Sequence, residues 1–130
     1  MKHLLHYWPS FVVLCVILYA TWLPHPVPST SIPAIPHIDK LIHAIMMGGF
    51  VGALMFDYYR ACPSRRPLTL RITLAFTASV MAFCVVDEVV QGLLPIGRPS
   101  DPVDLLADWF GCLVALLTAP PAIRAVVKRC

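Results

Sequence analysis

Two adjacent carboxylates, Asp87 and Glu88, stand in a largely apolar stretch that runs from Leu68 to Leu94. Charge at membrane depth is costly, so ionisable residues within such a stretch point to function by default. Two neighbouring carboxylates in a partly desolvated place cannot both ionise cheaply, and one of them is expected to keep its proton. If the chain is an enzyme, Asp87 and Glu88 are therefore the expected catalytic acid and base.

Further polar residues recur on both sides of this pair at helical spacing. Residues three and four positions apart share one face of a helix, which groups the polar residues into three arcs. The arcs are Asp39, Lys40 and His43; Asp87, Glu88 and Gln91; and Asp101, Asp104 and Asp108. Arg98 lies between the second and third arcs. Because Lys40 and Arg98 suit an anionic group such as phosphate, we predict that the first and third arcs, with Gln91 and Arg98, bind a ligand.

The same residues also have a structural interpretation. Asp101 directly before Pro102 is typical of a helix N-cap, and Asp104 in the first turn suits the positive end of the helix dipole. An ion-pair network of the second arc with Lys40 and Arg98 would satisfy the charges without any ligand. The sequence leaves both interpretations open.

A metal centre is the remaining possibility for these side chains. The carboxylates are hard oxygen donors, and His43 would add a nitrogen ligand. No tight ligand motif is present in the sequence, so we predict no metal site. The residues indicate no particular cofactor.

The composition is that of an integral membrane protein. Of the 130 residues, 58% are hydrophobic and only 13% are charged, whereas about a quarter of the residues of a soluble domain are charged. A formal charge of +3 is too small to indicate nucleic-acid binding. We expect a single membrane domain over residues 1–130, with the lipid bilayer as its first partner.

Four apolar stretches predict an all-α bundle of four transmembrane helices, at about 8–23, 40–59, 70–94 and 102–119. Lys and Arg cluster before the first stretch, between the second and third, and after the fourth: Lys2; Arg60, Arg65, Arg66 and Arg71; Arg124, Lys128 and Arg129. Because cytoplasmic loops carry the excess of basic residues, both termini are predicted to be cytoplasmic.

With this orientation the three polar arcs lie in the outer half of the bilayer. Polar arcs at matched depth are most economically buried by facing each other, so we expect a polar cavity that opens to the extracytoplasmic side. Gly48 and Gly52 form a small-xxx-small pair, which would let the second helix approach a neighbour closely.

The three arcs, read in order, resemble the VanZ-like membrane protein family. The matching motifs are D-K-x-x-H from Asp39, D-E-x-x-Q-x-x-x-P-x-x-R from Asp87, and D-x-x-D-x-x-A-D-x-x-G from Asp101, within residues 38–111. Two departures are an extra residue between Pro95 and Arg98, and Asp108 where Asn is common. The resemblance implies a four-helix protein of the bacterial inner (cytoplasmic) membrane, and its founding member is associated with low-level teicoplanin resistance.

Three functions are compatible with this sequence. We expect first a cell-envelope protein that binds an anionic lipid-linked or glycopeptide-related ligand and contributes to teicoplanin-type resistance. The alternative is an intramembrane enzyme that uses Asp87 or Glu88 on a lipid-linked cell-wall precursor. A second alternative is a proton- or ion-coupled transporter, which with only four helices would have to be an oligomer.

Overall fold

The structure, a computed structural model, describes residues 4–23, 37–61, 67–95 and 100–127. These residues form helices and no strand. A short 3-10 turn, Leu4–Tyr7, leads into α1, Trp8–Trp22, which is followed by α2, Ile38–Ala61, α3, Leu70–Leu93, and α4, Pro102–Val126. The predicted all-α class is confirmed for the described part of the chain.

All four helices are long and apolar enough to cross a bilayer. The first, counted with its leading turn, has 19 residues, and the others have 24, 24 and 25. Because about 20 residues at 1.5 Å each span the hydrocarbon core, each helix is long enough to cross it. Large apolar side chains also cover the outside of the bundle, among them Phe11, Ile45, Val86 and Phe110. This surface is typical of a protein that faces lipid.

The last helix is longer than the sequence predicts. The predicted span ends at Ala119, whereas α4 continues through Pro120 and Pro121 to Val126. Proline lacks the N–H of a helical hydrogen bond, but membrane helices tolerate it where neighbouring groups compensate. Pro120 is buried, and Arg124 donates to the carbonyl oxygen of Leu68 at 2.5 Å, which ties the end of α4 to the start of α3.

The helices alternate in direction. Ser10 at the start of α1 contacts Asp57 at the end of α2, and Lys40 at the start of α2 contacts Asp104 at the start of α4. The helices α2 and α4 are therefore parallel to each other and antiparallel to α1 and α3. We call the end with the starts of α2 and α4 the polar end, and the opposite end the basal end. Both described ends of the chain lie at the basal end.

The helices α2 and α4 form the most extensive pair in the bundle. Their backbones approach at Gly48 and Gly111, where a Cβ added to Gly48 would lie 2.7 Å from the Gly111 carbonyl oxygen. A Cβ added to Gly111 would overlap the carbonyl oxygen of Ala44. The close approach predicted from Gly48 is confirmed, and its partner is α4. We call this line of contact the glycine seam.

The seam predicts opposite effects for two glycine-to-alanine substitutions. Gly111→Ala should destabilise the protein by about 1–3 kcal/mol, because its Cβ meets rigid backbone. Gly49→Ala, whose Cβ would have nothing within 4 Å, should be neutral or slightly stabilising. Reversible unfolding in detergent, followed by circular dichroism, measures both changes. Equal stability of the two variants would contradict the seam.

Candidate functional site

A cluster of charged side chains lies at the polar end, where α2 and α4 begin. The ammonium nitrogen of Lys40 is 2.9 Å from Asp104 Oδ1, 3.3 Å from Asp101 Oδ2 and 3.5 Å from Asp39 Oδ2. Most of the Lys40 and Asp104 side chains is covered, whereas Asp39 and Asp101 keep 57% and 41% of their side-chain surface. The cluster is therefore bonded internally but remains open to water on one side.

Asp101 links this cluster to two helix ends. Its side chain accepts a hydrogen bond from the backbone N–H of Val103 at 2.9 Å, which is the N-cap that the sequence indicates. Its own backbone N–H donates to Glu88 Oε1 of α3 at 2.5 Å. The Val103 N–H and then Lys40 hold the pKa of Asp101 below its ordinary value of 3.8. Both contacts thus favour the ionised form of Asp101.

A second pair lies one turn deeper between the same two helices. His43 Nδ1 is 3.1 Å from Asp108 Oδ1, and both side chains are almost fully buried. His43 is three positions after Lys40, and Asp108 is four positions after Asp104, so both pairs use the same faces of α2 and α4. Because a carboxylate only accepts, an ionised Asp108 takes this hydrogen bond from a proton on His43 Nδ1. The contact fixes the orientation of the imidazole ring between the two helices.

Asp87 is directed away from this cluster and toward α1. Its carboxylate accepts from Trp22 Nε1 at 2.6 Å, from Gln91 Nε2 at 2.9 Å and from Thr21 Oγ1 at 3.2 Å. Glu88, about 100° further round α3, reaches the start of α4 instead. The two adjacent carboxylates therefore make contacts with different helices. Asp87 connects the end of α1 to α3.

A matching contact lies at the basal end and is not among the contacts predicted from the sequence. Asp57 is fully buried and its Oδ2 accepts from the backbone N–H of Ser10 at 2.9 Å and from the Ser10 hydroxyl at 2.6 Å. Asp57 Oδ1 lies 3.6 Å from Arg60 Nη2. The carboxylate thus caps the N-terminus of α1 from another helix. The sequence signal for such a cap is that the apolar first helix begins with Trp8, Pro9 and Ser10 and has no acidic residue of its own in its first turn.

The predicted site residues that the structure describes therefore divide into two groups. Lys40 and His43 of α2 contact the third arc on α4, and Glu88 contacts the same group through the backbone N–H of Asp101. Gln91 lies with Asp87 near α1. Arg98 lies outside the described residues. Within the ranges that the structure describes, no group of three or more His, Cys, Asp or Glu is placed to hold a metal ion.

Comparison of the chain with protein-family models, with curated proteins and with solved structures finds no match.

The Asp87 contact gives a testable prediction for α1. Asp87→Asn replaces one acceptor oxygen by an NH2 group, which cannot accept the hydrogen bond of Trp22 or of Gln91, whichever it faces, at a cost of about 1–3 kcal/mol. The last turn of α1 should then exchange its amide hydrogens faster, while α2 and α4 keep their protection. Trp22→Phe, which removes one donor and retains an aromatic ring, should give a smaller effect. Unchanged exchange in Asp87→Asn would show that α1 is held by other contacts.

Proposed function

We propose that this chain is a VanZ-like cell-envelope protein of the bacterial inner membrane, with its polar end outside and both termini in the cytoplasm. The distribution of basic residues supports this orientation. Arg60, Arg71 and Arg124 lie at the basal end of the described residues, whereas Lys40 lies at the polar end. Cytoplasmic sides of membrane proteins carry the excess of Lys and Arg.

The proposed activity is the binding of an anionic group of a lipid-linked cell-wall precursor or a glycopeptide-related ligand. The observation that carries it is Lys40, held between the starts of two parallel helices. Both helix starts present positive dipole ends toward the same place, which favours an anion there. A phosphate would replace Asp104 or Asp101 as the partner of the ammonium.

The acidic side chains around Lys40 further restrict the chemical class of the ligand. Asp39 and Asp101 are the more exposed members of the cluster and would repel a ligand that carried only negative charge. They would accept hydrogen bonds from hydroxyl or ammonium groups. The cluster therefore favours a headgroup in which an anionic group is flanked by such donors, as in a glycosylated lipid phosphate.

The experiment is drug susceptibility in a sensitive host, with teicoplanin beside vancomycin, at matched membrane levels of each variant. The wild type should protect against teicoplanin, and Lys40→Gln should lose this protection because a charge-assisted contact worth about tenfold or more in affinity is removed. Lys40→Arg keeps the charge and should retain part of the protection.

The matched control is Arg71→Gln, which removes one exposed positive charge at the basal end. Protection that survives Lys40→Gln, or that Arg71→Gln abolishes equally, would contradict a ligand site at Lys40. No protection by any variant would contradict the resistance function.

The buried pair His43 and Asp108 favours one second candidate, an intramembrane enzyme on a lipid-linked cell-wall precursor. Asp108 orients the ring, and His43 would accept a proton from a water that attacks a phosphate of the precursor, while the P–O bond to the leaving group breaks and the leaving oxygen takes up that proton. The proposed base is His43 in place of Asp87 or Glu88, because Asp87 is occupied by its contacts with α1 and Glu88 accepts from the backbone N–H of Asp101.

Turnover distinguishes this candidate from simple binding. Incubation with lipid-linked precursors should change the mass of the substrate for the wild type, and His43→Gln should abolish the change. Asp108→Asn keeps the shape but weakens the orientation of the ring, so it should lower the rate and shift its pH profile. An unchanged substrate mass with correctly folded wild type would exclude this reaction on the substrates used.

A further inference from the structure

An apolar groove runs along the lipid-facing side of α2 and α4. Its volume is about 360 Å³, which lies within the usual range of about 300–1,000 Å³ for ligand pockets. Leu41, Ile45 and Phe110 rim the groove and are themselves well exposed. Along α4 the lining extends from Phe110 to Ala119, about 13 Å at 1.5 Å per residue.

The glycine seam forms the floor of the groove. Gly48 and Gly111 bring the helices together there, and Gly49 adds open space, because a Cβ at this position would meet nothing within 4 Å. Thr118 contributes the lining hydroxyl, which donates to the Val114 carbonyl oxygen in its own helix at 2.8 Å. The lining therefore requires no hydrogen bond from an occupant and fits a hydrocarbon chain.

The groove leads directly to the charged cluster. Ala44 in the lining is one helical turn from Lys40, whose ammonium bridges from α2 to Asp104 on α4. The same two helices thus present an apolar channel at membrane depth and a cation at the polar end. An amphiphile with a charged head and a flexible tail satisfies both surfaces, whereas a soluble anion would occupy only the cluster.

We propose that the groove holds the hydrocarbon chain of a bilayer lipid whose phosphate contacts Lys40. The proposal rests on the anion site of the proposed function and specifies its substrate class as a phosphate-bearing lipid. The groove selects the chain, and the cluster selects the headgroup.

The experiment uses the full chain in phosphatidylcholine vesicles and two photoreactive probes. One is dodecyl phosphate with a diazirine at the end of the chain, and the other is dodecanol with the same diazirine. After illumination, mass spectrometry compares labelling of the α2 and α4 groove peptides with labelling of the exposed α3 surface around Val86. The phosphate probe should concentrate in the groove peptides, and the alkanol should label them less.

Variants separate the chain site from the headgroup site. Gly49→Phe should reduce groove labelling by the phosphate probe to the level of the α3 surface, since its ring fills the groove. Gly49→Ala, which adds one Cβ in open space, should retain the labelling, as should Val86→Phe on α3. Lys40→Gln should lower groove labelling by the phosphate probe to the level seen with the alkanol probe. Phe110→Ala removes a rim residue and provides a second test if Gly49→Phe folds poorly.

The outcomes distinguish this inference from the proposed function. Uniform labelling of all lipid-facing surfaces, or groove labelling that Gly49→Phe leaves unchanged, would overturn the chain site and leave the Lys40 anion site standing. Groove labelling that is equal for the phosphate and alkanol probes, and that is unchanged in Lys40→Gln, would overturn both the proposed lipid class and the Lys40 anion site. Protein-to-protein crosslinks through the groove that exclude both probes would replace the lipid by a second copy of the chain.

Discussion

The constraint on which this bundle depends is that apolar burial does not drive helices together in a hydrocarbon solvent. Lipid tails are as apolar as the leucines of the protein, so association relies on close packing and on polar contacts between helices. The described chain uses both. The glycine seam brings α2 and α4 into backbone contact, and the Trp109 indole donates to the Met81 carbonyl oxygen to join α4 and α3. Asp57 and Asp87 hold α1 at its two ends.

The seam and the charged cluster are parts of one arrangement. In parallel helices, one register places Lys40 beside Asp104, His43 beside Asp108 and Gly48 beside Gly111. A change of register would separate the ion pairs and would also bring side chains against the backbone. The same register leaves the groove beneath the ammonium. Packing, electrostatics and the proposed lipid site are therefore positioned by a single helix pair.

The sequence predicts much of this fold because each helix is encoded locally. Apolar length predicts the four helices, Asp101 and Pro102 predict the start of α4, and the spacing of Gly48 and Gly52 predicts a close neighbour. The continuation of α4 past Pro120 is not encoded locally, since burial and the Arg124 contact stabilise it from outside the helix.

The candidate site is predictable only in part for a related reason. Helical phase shows which polar residues share a face, but it does not show which neighbour that face meets. The arcs of α2 and α4 do meet, whereas Asp87 faces α1. Its partners there, Thr21 and Trp22, are uncharged, so the sequence does not reveal them as partners of a carboxylate. The contact between Ser10 and Asp57 is only hinted at in the sequence, since the first helix begins without an acidic residue of its own and nothing marks Asp57 as its partner.

The two-point attachment of α1 has a consequence for how the protein is assembled. Chains are synthesised from the N-terminus, so the partners of α1 become available in sequence order. Asp57 arrives with the second helix and can close the Ser10 contact early, whereas Asp87 arrives only with the third. Until the third helix is synthesised, the Trp22 end of α1 therefore lacks its final partner, whereas the partner of Ser10 is already present. The maturation of the first helix is coupled to the insertion of the third.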